Sequence, residues 1–341
     1  MSDGEERGLT PRSVELVRSV DTPTADAVAT GIGSLPHIDP AAAARLVLEV
    51  TPDLPAAPQL PARTPLEQMV VQWIRALPEA RVEPDGTFSL RPGVAHGPIS
   101  TTFDGDAHGG LLTFVDLAAR DIPRRVKLQC TGPLTLALAL HAAGAPMDRA
   151  LTRGFECAQG WALALRALVA ARVPSAEPVI FFDEPSLVSW TRNRAPVDRD
   201  TAIDTLSAVL SSTPATTGVH VCGDGDVSIA VDAGPSIVAC ELRDDWSAEV
   251  SAIGGHVERG GVVAWGAVPT DRPIGESVEP LWRRLDRTFR DLAARGCDED
   301  RLRSQAIVTP ACGLAGHGVS QSVHALRLAS ALASRINETR K

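Results

Sequence analysis

Short apolar runs alternate with longer amphipathic segments along almost the whole chain. Each run is rich in Val, Ile and Ala and is bounded by Gly or Pro, and the segment that follows it has a helical period. Runs that are apolar at nearly every position are typical of parallel strands covered on both faces. The pattern predicts eight strands, at residues 29–36, 54–61, 126–133, 178–185, 217–223, 236–242, 262–269 and 305–312.

This alternation predicts an α/β protein with one domain, a (β/α)8 barrel over residues 28–341. Eight parallel strands with helices outside them suit a chain of 341 residues better than an open sheet does. Residues 1–27 are charged throughout and are expected to form an N-terminal arm outside the barrel. After the second strand, the Gly-rich stretch "HGPISTTFDGDAHGGLLTF" at 96–114 predicts an inserted hairpin or lid.

Composition and charge narrow the class of ligand. The net charge is -9, so the chain lacks the basic face that nucleic acids or anionic membranes require, and a small ligand is expected. The longest apolar stretch, "PLTLALALHAAGAP", is shorter than the roughly 20 residues that span a bilayer. The first 27 residues lack the apolar core of a secretory signal. We therefore expect no membrane span and a cytoplasmic location, where the six dispersed cysteines would be free thiols or metal ligands.

Chemically active side chains collect at the carboxyl ends of the predicted strands, the face on which barrel enzymes carry out their chemistry. The seven residues that fall there are Ser34, Asp183, Glu184, His220, Cys222, Glu241 and Cys312. A single polar residue at a strand end is usually structural, but packing alone does not explain seven. Glu184 directly follows Asp183, so it should point to the other side of its strand and serve a structural role.

Four of these residues suggest a metal site. His220 and Cys222 are two positions apart in "HVCGD", which directs both side chains to the same side of a strand. A barrel would bring Glu241 and Cys312, at the ends of two other strands, into the same ring. Thiolates combined with an imidazole select zinc over magnesium or calcium. The sequence predicts a Zn²⁺ site; the alternative is that both thiols are simply buried and His220 is bonded within the fold.

Six motifs occur in the order "GIGSLP", "TGPLTLA", "FFDEPSL", "HVCGD", the Glu of "CEL" and "TPACGLAG". In that order they resemble the cobalamin-independent methionine synthase family, in its C-terminal catalytic barrel and its short single-barrel relatives, over most of residues 28–330. The resemblance implies that the zinc binds the thiol of homocysteine, with Glu241 as the displaceable oxygen ligand. It also implies that Asp183 accepts the substrate ammonium and that Ser34 holds its carboxylate. The plainer interpretations are a helix N-cap for Ser34 and a structural salt bridge for Asp183.

The chain departs from that family in ways that concern the methyl donor. It has no room for a second barrel, and "WGAVPT" lacks the His that assists proton delivery to a departing folate. His96, His108 or His317 could replace that acid from a loop. The family's acidic amine ligand near the second strand is also absent, with Gln59 or Glu67 as the nearest candidates. We therefore expect methyl transfer to a thiol from a donor other than polyglutamyl methyltetrahydrofolate, such as methylcobalamin or a corrinoid protein.

Three alternatives remain open at this level. The chain could be a zinc- or thiol-binding barrel without methyltransferase activity, or a methyltransferase that acts on a different thiol. A decarboxylase of the uroporphyrinogen type shares the barrel but uses Arg and Asp, and the His-x-Cys pair counts against it.

Overall fold

The computed structural model describes residues 26–94, 96–275 and 277–340. The strands are β1 (Val28–Ala29), β2 (Ala80–Val82), β3 (Phe88–Leu90), β4 (Arg125–Thr131), β5 (Glu177–Asp183), β6 (Thr216–Val221), β7 (Ile237–Glu241), β8 (Val262–Val268) and β9 (Ala306–Pro310). The helices are α1 (Pro40–Val50), α2 (Met69–Ile74), α3 (Gly105–Asp121), α4 (Pro133–Ala142), α5 (Met147–Arg172), α6 (Val188–Thr191), α7 (Arg199–Ser211), α8 (Val227–Asp232), α9 (Val250–Glu258), α10 (Val278–Ala294), α11 (Glu299–Ser304) and α12 (Val319–Thr339).

Seven strands form one parallel sheet in the order β1-β9-β8-β7-β6-β5-β4, with helices packed against it. This confirms the predicted α/β class and the parallel sheet. The sheet is curled. Side chains from the edge strand β1 and from β5, β7, β8 and β9 meet in one central apolar cluster, which a flat sheet would not allow. A second and larger core fills the space between the sheet and the helices.

The second predicted strand, residues 54–61, does not form. In place of a strand this segment makes two isolated parallel bridges, from Ala56 to Lys127 of β4 and from Gln59 to Ser34 beyond β1. Its sequence "LPAAPQLP" places prolines at 55, 58 and 61, and a proline has no N–H to donate to a ladder. The sheet of the described residues is therefore a curled sheet of seven strands rather than the closed eight-stranded sheet expected from the sequence.

The first predicted strand is also shorter than expected. Of residues 29–36 only the start is paired as β1, because Gly33 adopts a φ of 140° and turns the backbone out of the ladder. A φ in this range is readily adopted by glycine alone. The resulting turn, residues 31–34, lies between β1 and α1 and carries Ser34.

The inserted hairpin exists, but not where the glycine-rich stretch predicted it. Strands β2 and β3 pair antiparallel within residues 80–90, whereas residues 105–114 of the predicted hairpin begin α3. Asp104 caps that helix by accepting hydrogen bonds from the backbone N–H groups of Asp106 and Ala107. The buried Leu111 and Phe114 then follow at helical spacing. The prediction at 96–114 was wrong because an N-cap and a helical apolar period outweigh the glycines.

The predicted arm lies almost entirely outside the described residues. Of residues 1–27, the structure describes Asp26 and Ala27, and the Ala27 N–H donates to the Asn337 side chain at 2.7 Å. The domain boundary at residue 28 stays a prediction. In the part of the chain that the structure describes, none of the helices combines the length and apolar character needed to cross a membrane.

Candidate metal centre

Strand alternation decides which strand-end residues face the inside of the curled sheet. In β5, Ile180 and Phe182 belong to the core under the helices, whereas Phe181 belongs to the central cluster. Asp183 continues the inward series and Glu184 the outward one. The same alternation in β6 places Val219 and Val221 outward and hence His220 and Cys222 inward. In β7 it directs Glu241 inward, beyond Ile237 and Ala239.

His220, Cys222 and Cys312 form a compact cluster of possible metal donors. Their ligand atoms all lie within 4.8 Å of one another. Cys222 Sγ is 3.2 Å from His220 Nε2 and 3.5 Å from Cys312 Sγ. In the sheet order two strands separate β6 from β9, so a flat sheet would place their ends about 14 Å apart at about 4.8 Å per strand. The curl of the sheet is therefore what brings the two thiols together.

The donor spacing suits zinc. Tetrahedral ligands at about 2.3 Å for sulfur and about 2.0 Å for nitrogen lie about 3.5–3.8 Å from one another. The observed separations of 3.2 and 3.5 Å are close to that geometry, and the two sulfurs are not joined as a disulfide. His220 is 2% exposed, and its Nδ1 is buried without a hydrogen-bond partner. Two thiols and one imidazole supply three ligands, which is the number that catalytic zinc sites use with one exchangeable position.

Contacts within the cluster shift the pKa values of the two thiols in opposite directions. Hydrogen bonds from Cys222 and from His220 lower the pKa of Cys312 below the ordinary thiol value. The same contact with Cys312, together with burial, raises the pKa of Cys222. One thiolate is therefore already favoured when the two sulfurs share a single proton.

Glu241 is the predicted ligand that the structure leaves outside the three-residue cluster. It is partly exposed at the end of β7 and acts electrostatically on Cys312. Burial raises the pKa of its carboxyl group, and Asp271 raises it further. The geometry places Glu241 beside the cluster rather than in it.

Asp183 borders the cluster with unused hydrogen-bonding capacity. It is 5% exposed, its Oδ1 is buried without a partner, and its backbone pairs with His220 in the neighbouring strand. Burial raises the pKa of Asp183, while His220 and Lys127 lower it. No Lys, Arg or His nitrogen of the described residues lies within ion-pair distance of its carboxylate, which removes the structural salt bridge as an explanation.

Ser34 lies directly against the loop that carries Cys312. Its carbonyl accepts from the Leu314 N–H at 2.9 Å, and its Oγ occupies the space where a Cβ on Gly313 would stand. The N-cap of α1 is Asp39, so Ser34 does not cap that helix. The turn of residues 31–34 therefore joins the edge of the cluster.

Glu184 has a structural role on the opposite side of its strand. Its carboxylate accepts from the backbone N–H groups of Leu134 and Thr135, each at 2.8 Å, at the start of α4. It also accepts from the Thr135 hydroxyl at 2.6 Å. This contact agrees with the expectation that adjacent residues of a strand point opposite ways.

The remaining sequence candidates lie in other surroundings. Glu67 is fully buried and accepts from Leu60 N–H, Arg63 and Gly110 N–H, so it is unavailable as an amine ligand. The other residues have these partners: Gln59 donates to Gln72, His96 bonds to Glu79, His108 packs among Trp73, Phe103 and Trp161, and His317 Nε2 donates to the Thr270 carbonyl.

Two cavities differ in their relation to the cluster. One of about 510 Å³ opens beside Cys312, between the loop after β8 and the loop after β9, and is lined by Arg272, Gly313 and His317. Another of about 650 Å³ lies between residues 96–99 and α5. Neither cavity is lined by Ser34, Asp183 or a residue of the His–Cys–Cys cluster; the first reaches the chain next to the cluster through Gly313, the neighbour of Cys312.

The sequence analysis did not identify two inward-facing polar residues of β4, Lys127 and Gln129. Lys127 is 1% exposed and Gln129 is 7% exposed. The available signal was the occurrence of "KLQ" within an otherwise apolar strand, where polar residues at alternate positions indicate a polar inner face.

No family model matches the chain, and no curated protein matches it. The fold and the site thus define the class on their own: an α/β protein with a curled parallel sheet and a His–Cys–Cys cluster at the carboxyl ends of its strands.

Proposed function

We propose that the protein is a zinc-dependent thiol methyltransferase of the methionine synthase type, with homocysteine as the acceptor and methionine as the product. The observation that carries the proposal is the cluster of His220, Cys222 and Cys312, with donor atoms within 4.8 Å of one another. The fold proposed with it is a (β/α)8 barrel in which two bridges made by residues 54–61 take the place of the second strand. The location proposed for the protein is the cytoplasm.

The chemistry required of the site is to make a thiol nucleophilic at neutral pH. A free thiol has a pKa near about 8.5, and a bound zinc ion would hold the acceptor sulfur as a thiolate. Glu241 lies beside the cluster and would be the oxygen ligand that the acceptor sulfur displaces. The carbon–sulfur bond then forms with a sulfur electron pair, while the bonding pair of the methyl group leaves with the donor.

Asp183 and Ser34 hold the amino-acid end of the acceptor in this proposal. Asp183 Oδ1 is buried and unpartnered, and it accepts from the ammonium group. Ser34, on the turn beside Gly313, donates to the carboxylate. Charge-assisted hydrogen bonds of this kind are stronger than neutral ones in a partly dehydrated site.

The donor in this proposal is methylcobalamin or a methylated corrinoid protein. Such a donor leaves without taking up a proton, whereas a folate nitrogen needs an acid, whose loss costs about 10²–10⁴-fold in rate. His96 is hydrogen-bonded to Glu79, and His108 packs against aromatic side chains, so both imidazoles already have other partners.

Metal analysis tests the cluster, and methyl transfer tests the activity. Purified wild-type protein should contain about one zinc per chain. Cys312→Ser should lose most of it, whereas the matched control Cys297→Ser, a thiol in contact with the Val250 carbonyl, should retain it. Full occupancy in Cys312→Ser would refute the site.

Methyl transfer is then measured with homocysteine and two donors in parallel. Methionine should form with methylcobalamin and not with methyltetrahydrofolate polyglutamate. Turnover with the folate alone would refute the choice of donor. Binding of zinc and homocysteine without turnover on either donor would assign the chain to the zinc- and thiol-binding alternative.

A further inference from the structure

Strand β4 places a buried ammonium group inside the curled sheet. Val126, Leu128 and Cys130 face the helices, so Lys127 and Gln129 face inward. The register pairs Lys127 with Val179, one of the central apolar residues of β5. A cation among such residues has lost its hydration and depends on the few polar groups around it.

The Lys127 ammonium reaches from β4 to the turn beyond β1. Its Nζ donates to the Ile32 carbonyl at 2.6 Å and to Gln129 Oε1 at 3.4 Å, and it lies 4.6 Å from the centroid of the Phe181 ring. Ile32 belongs to the turn of residues 31–34. A Cβ at Gly33 in that turn would lie 2.4 Å from the Gln129 carboxamide. Lys127 and Gln129 therefore set the shape of the turn that carries Ser34.

The charge of Lys127 is not neutralised by a bonded partner. Among residues 26–94, 96–275 and 277–340, no carboxylate lies within ion-pair distance of its Nζ. Its polar contacts are the Ile32 carbonyl and Gln129 Oε1, so the hydrogen bond to Ile32 is what ties the ammonium group to the turn of residues 31–34.

We propose that Lys127 is a positioning residue for the acceptor: from inside the sheet it fixes the turn that holds Ser34 where the acceptor carboxylate would bind. The inference rests on the proposed function, because it takes the acceptor to be an amino-acid thiol. It separates two parts of recognition: Lys127 governs the carboxylate end of the acceptor through the turn of Ser34, and the His–Cys–Cys cluster governs the sulfur.

Substitution of Lys127 by Met tests this separation, since Met keeps an unbranched side chain and removes the charge and the donor. The readouts are zinc content and the affinities of zinc-loaded protein for homocysteine and for 2-mercaptoethanol by calorimetry. Homocysteine should bind about tenfold to a hundredfold more weakly, the loss expected for charge-assisted hydrogen bonds. Affinity for 2-mercaptoethanol and zinc content should stay unchanged, because neither depends on the groups that Lys127 positions.

A second variant covers the case in which Lys127→Met fails to fold. Gln129→Glu places a carboxylate next to the ammonium group, which competes with the Ile32 carbonyl for Lys127 Nζ while the Lys127 side chain stays in place. The preference for homocysteine should fall in this variant as well. The matched control is Arg303→Met, which removes another buried cation, one paired with Asp286 and Glu299. The control should lower stability and leave the preference for homocysteine unchanged.

Equal weakening of both thiols in Lys127→Met, or an unchanged preference in both Lys127→Met and Gln129→Glu, would overturn the proposal. A loss of preference in Arg303→Met would also overturn it, since general destabilisation would then explain the effect. The proposed function fails in a different way. If wild-type protein binds zinc and homocysteine but transfers no methyl group, and Lys127→Met still weakens homocysteine selectively, the role of Lys127 stands and the methyltransferase assignment falls.

Discussion

The Glu184→Gln variant tests the contact that anchors α4 next to the site. The Glu184 carboxylate accepts the N–H groups of Leu134 and Thr135 and the hydroxyls of Thr135 and Ser186. An amide offers one oxygen where the carboxyl group offers two. The hydroxyls can rotate to accept from the new NH₂ group, but a backbone N–H cannot. One buried N–H is left without an acceptor, which costs about 1–3 kcal/mol of the free energy of unfolding.

The pH dependence sharpens this prediction. Burial raises the pKa of Glu184 from 4.5 to about 7, against the hydrogen bonds that lower it. Because the pKa is higher in the folded state, the stability contributed by the protonated form is fully present below 4.5 and is lost as the pH rises through about 7. At about 1.4 kcal/mol per pKa unit, wild-type protein loses up to about 3 kcal/mol from this group. Glutamine does not titrate, so the free energy of unfolding of the variant does not fall with rising pH at this position.

Urea unfolding of both proteins at about pH 4 and at about pH 9 checks the reasoning. Glu184→Gln should be less stable than wild type by about 1–3 kcal/mol at the lower pH, and the difference should vanish or reverse at the higher one. Glu338→Gln, at a carboxylate that is 65% exposed on α12, serves as the control with the same small effect at both values. An equal destabilisation by Glu184→Gln at both pH values would refute the argument.

Two further predictions concern other parts of the structure. Arg153→Met removes the guanidinium that lies 2.6 Å from the Glu79 carboxylate, 6% exposed, and leaves His96 as its neighbour at 3.0 Å; it should cost up to about 3–5 kcal/mol in urea unfolding, and a stability equal to wild type would contradict a buried ion pair. Glu241→Gln should retain most of its zinc by metal analysis, because Glu241 lies outside the three-residue cluster. Loss of metal as complete as in Cys312→Ser would show instead that Glu241 is a permanent ligand.

Local backbone geometry explains what could be predicted from the sequence. Alternation along a strand requires no knowledge of distant residues, so the shared direction of His220 and Cys222 and the opposite directions of Asp183 and Glu184 follow from spacing alone. The parallel strands could be predicted for the same reason, since each is a continuous apolar run. The apolar content of residues 54–61 predicts a strand, but their three prolines lack the N–H donors that a ladder needs. The prolines are the signal in the sequence that this segment does not form a full strand.

The sequence by itself determined which residues stand at the strand ends and to which side they point. The tertiary structure alone decided which of them meet. Cys222 and Cys312 are 90 residues apart and approach to 3.5 Å because the sheet curls over two intervening strands. The same curl leaves Glu241 outside the cluster and carries the Lys127 ammonium across to Ile32. Distances between strand ends depend on the register and curvature of the whole sheet, and no local pattern of residues encodes them.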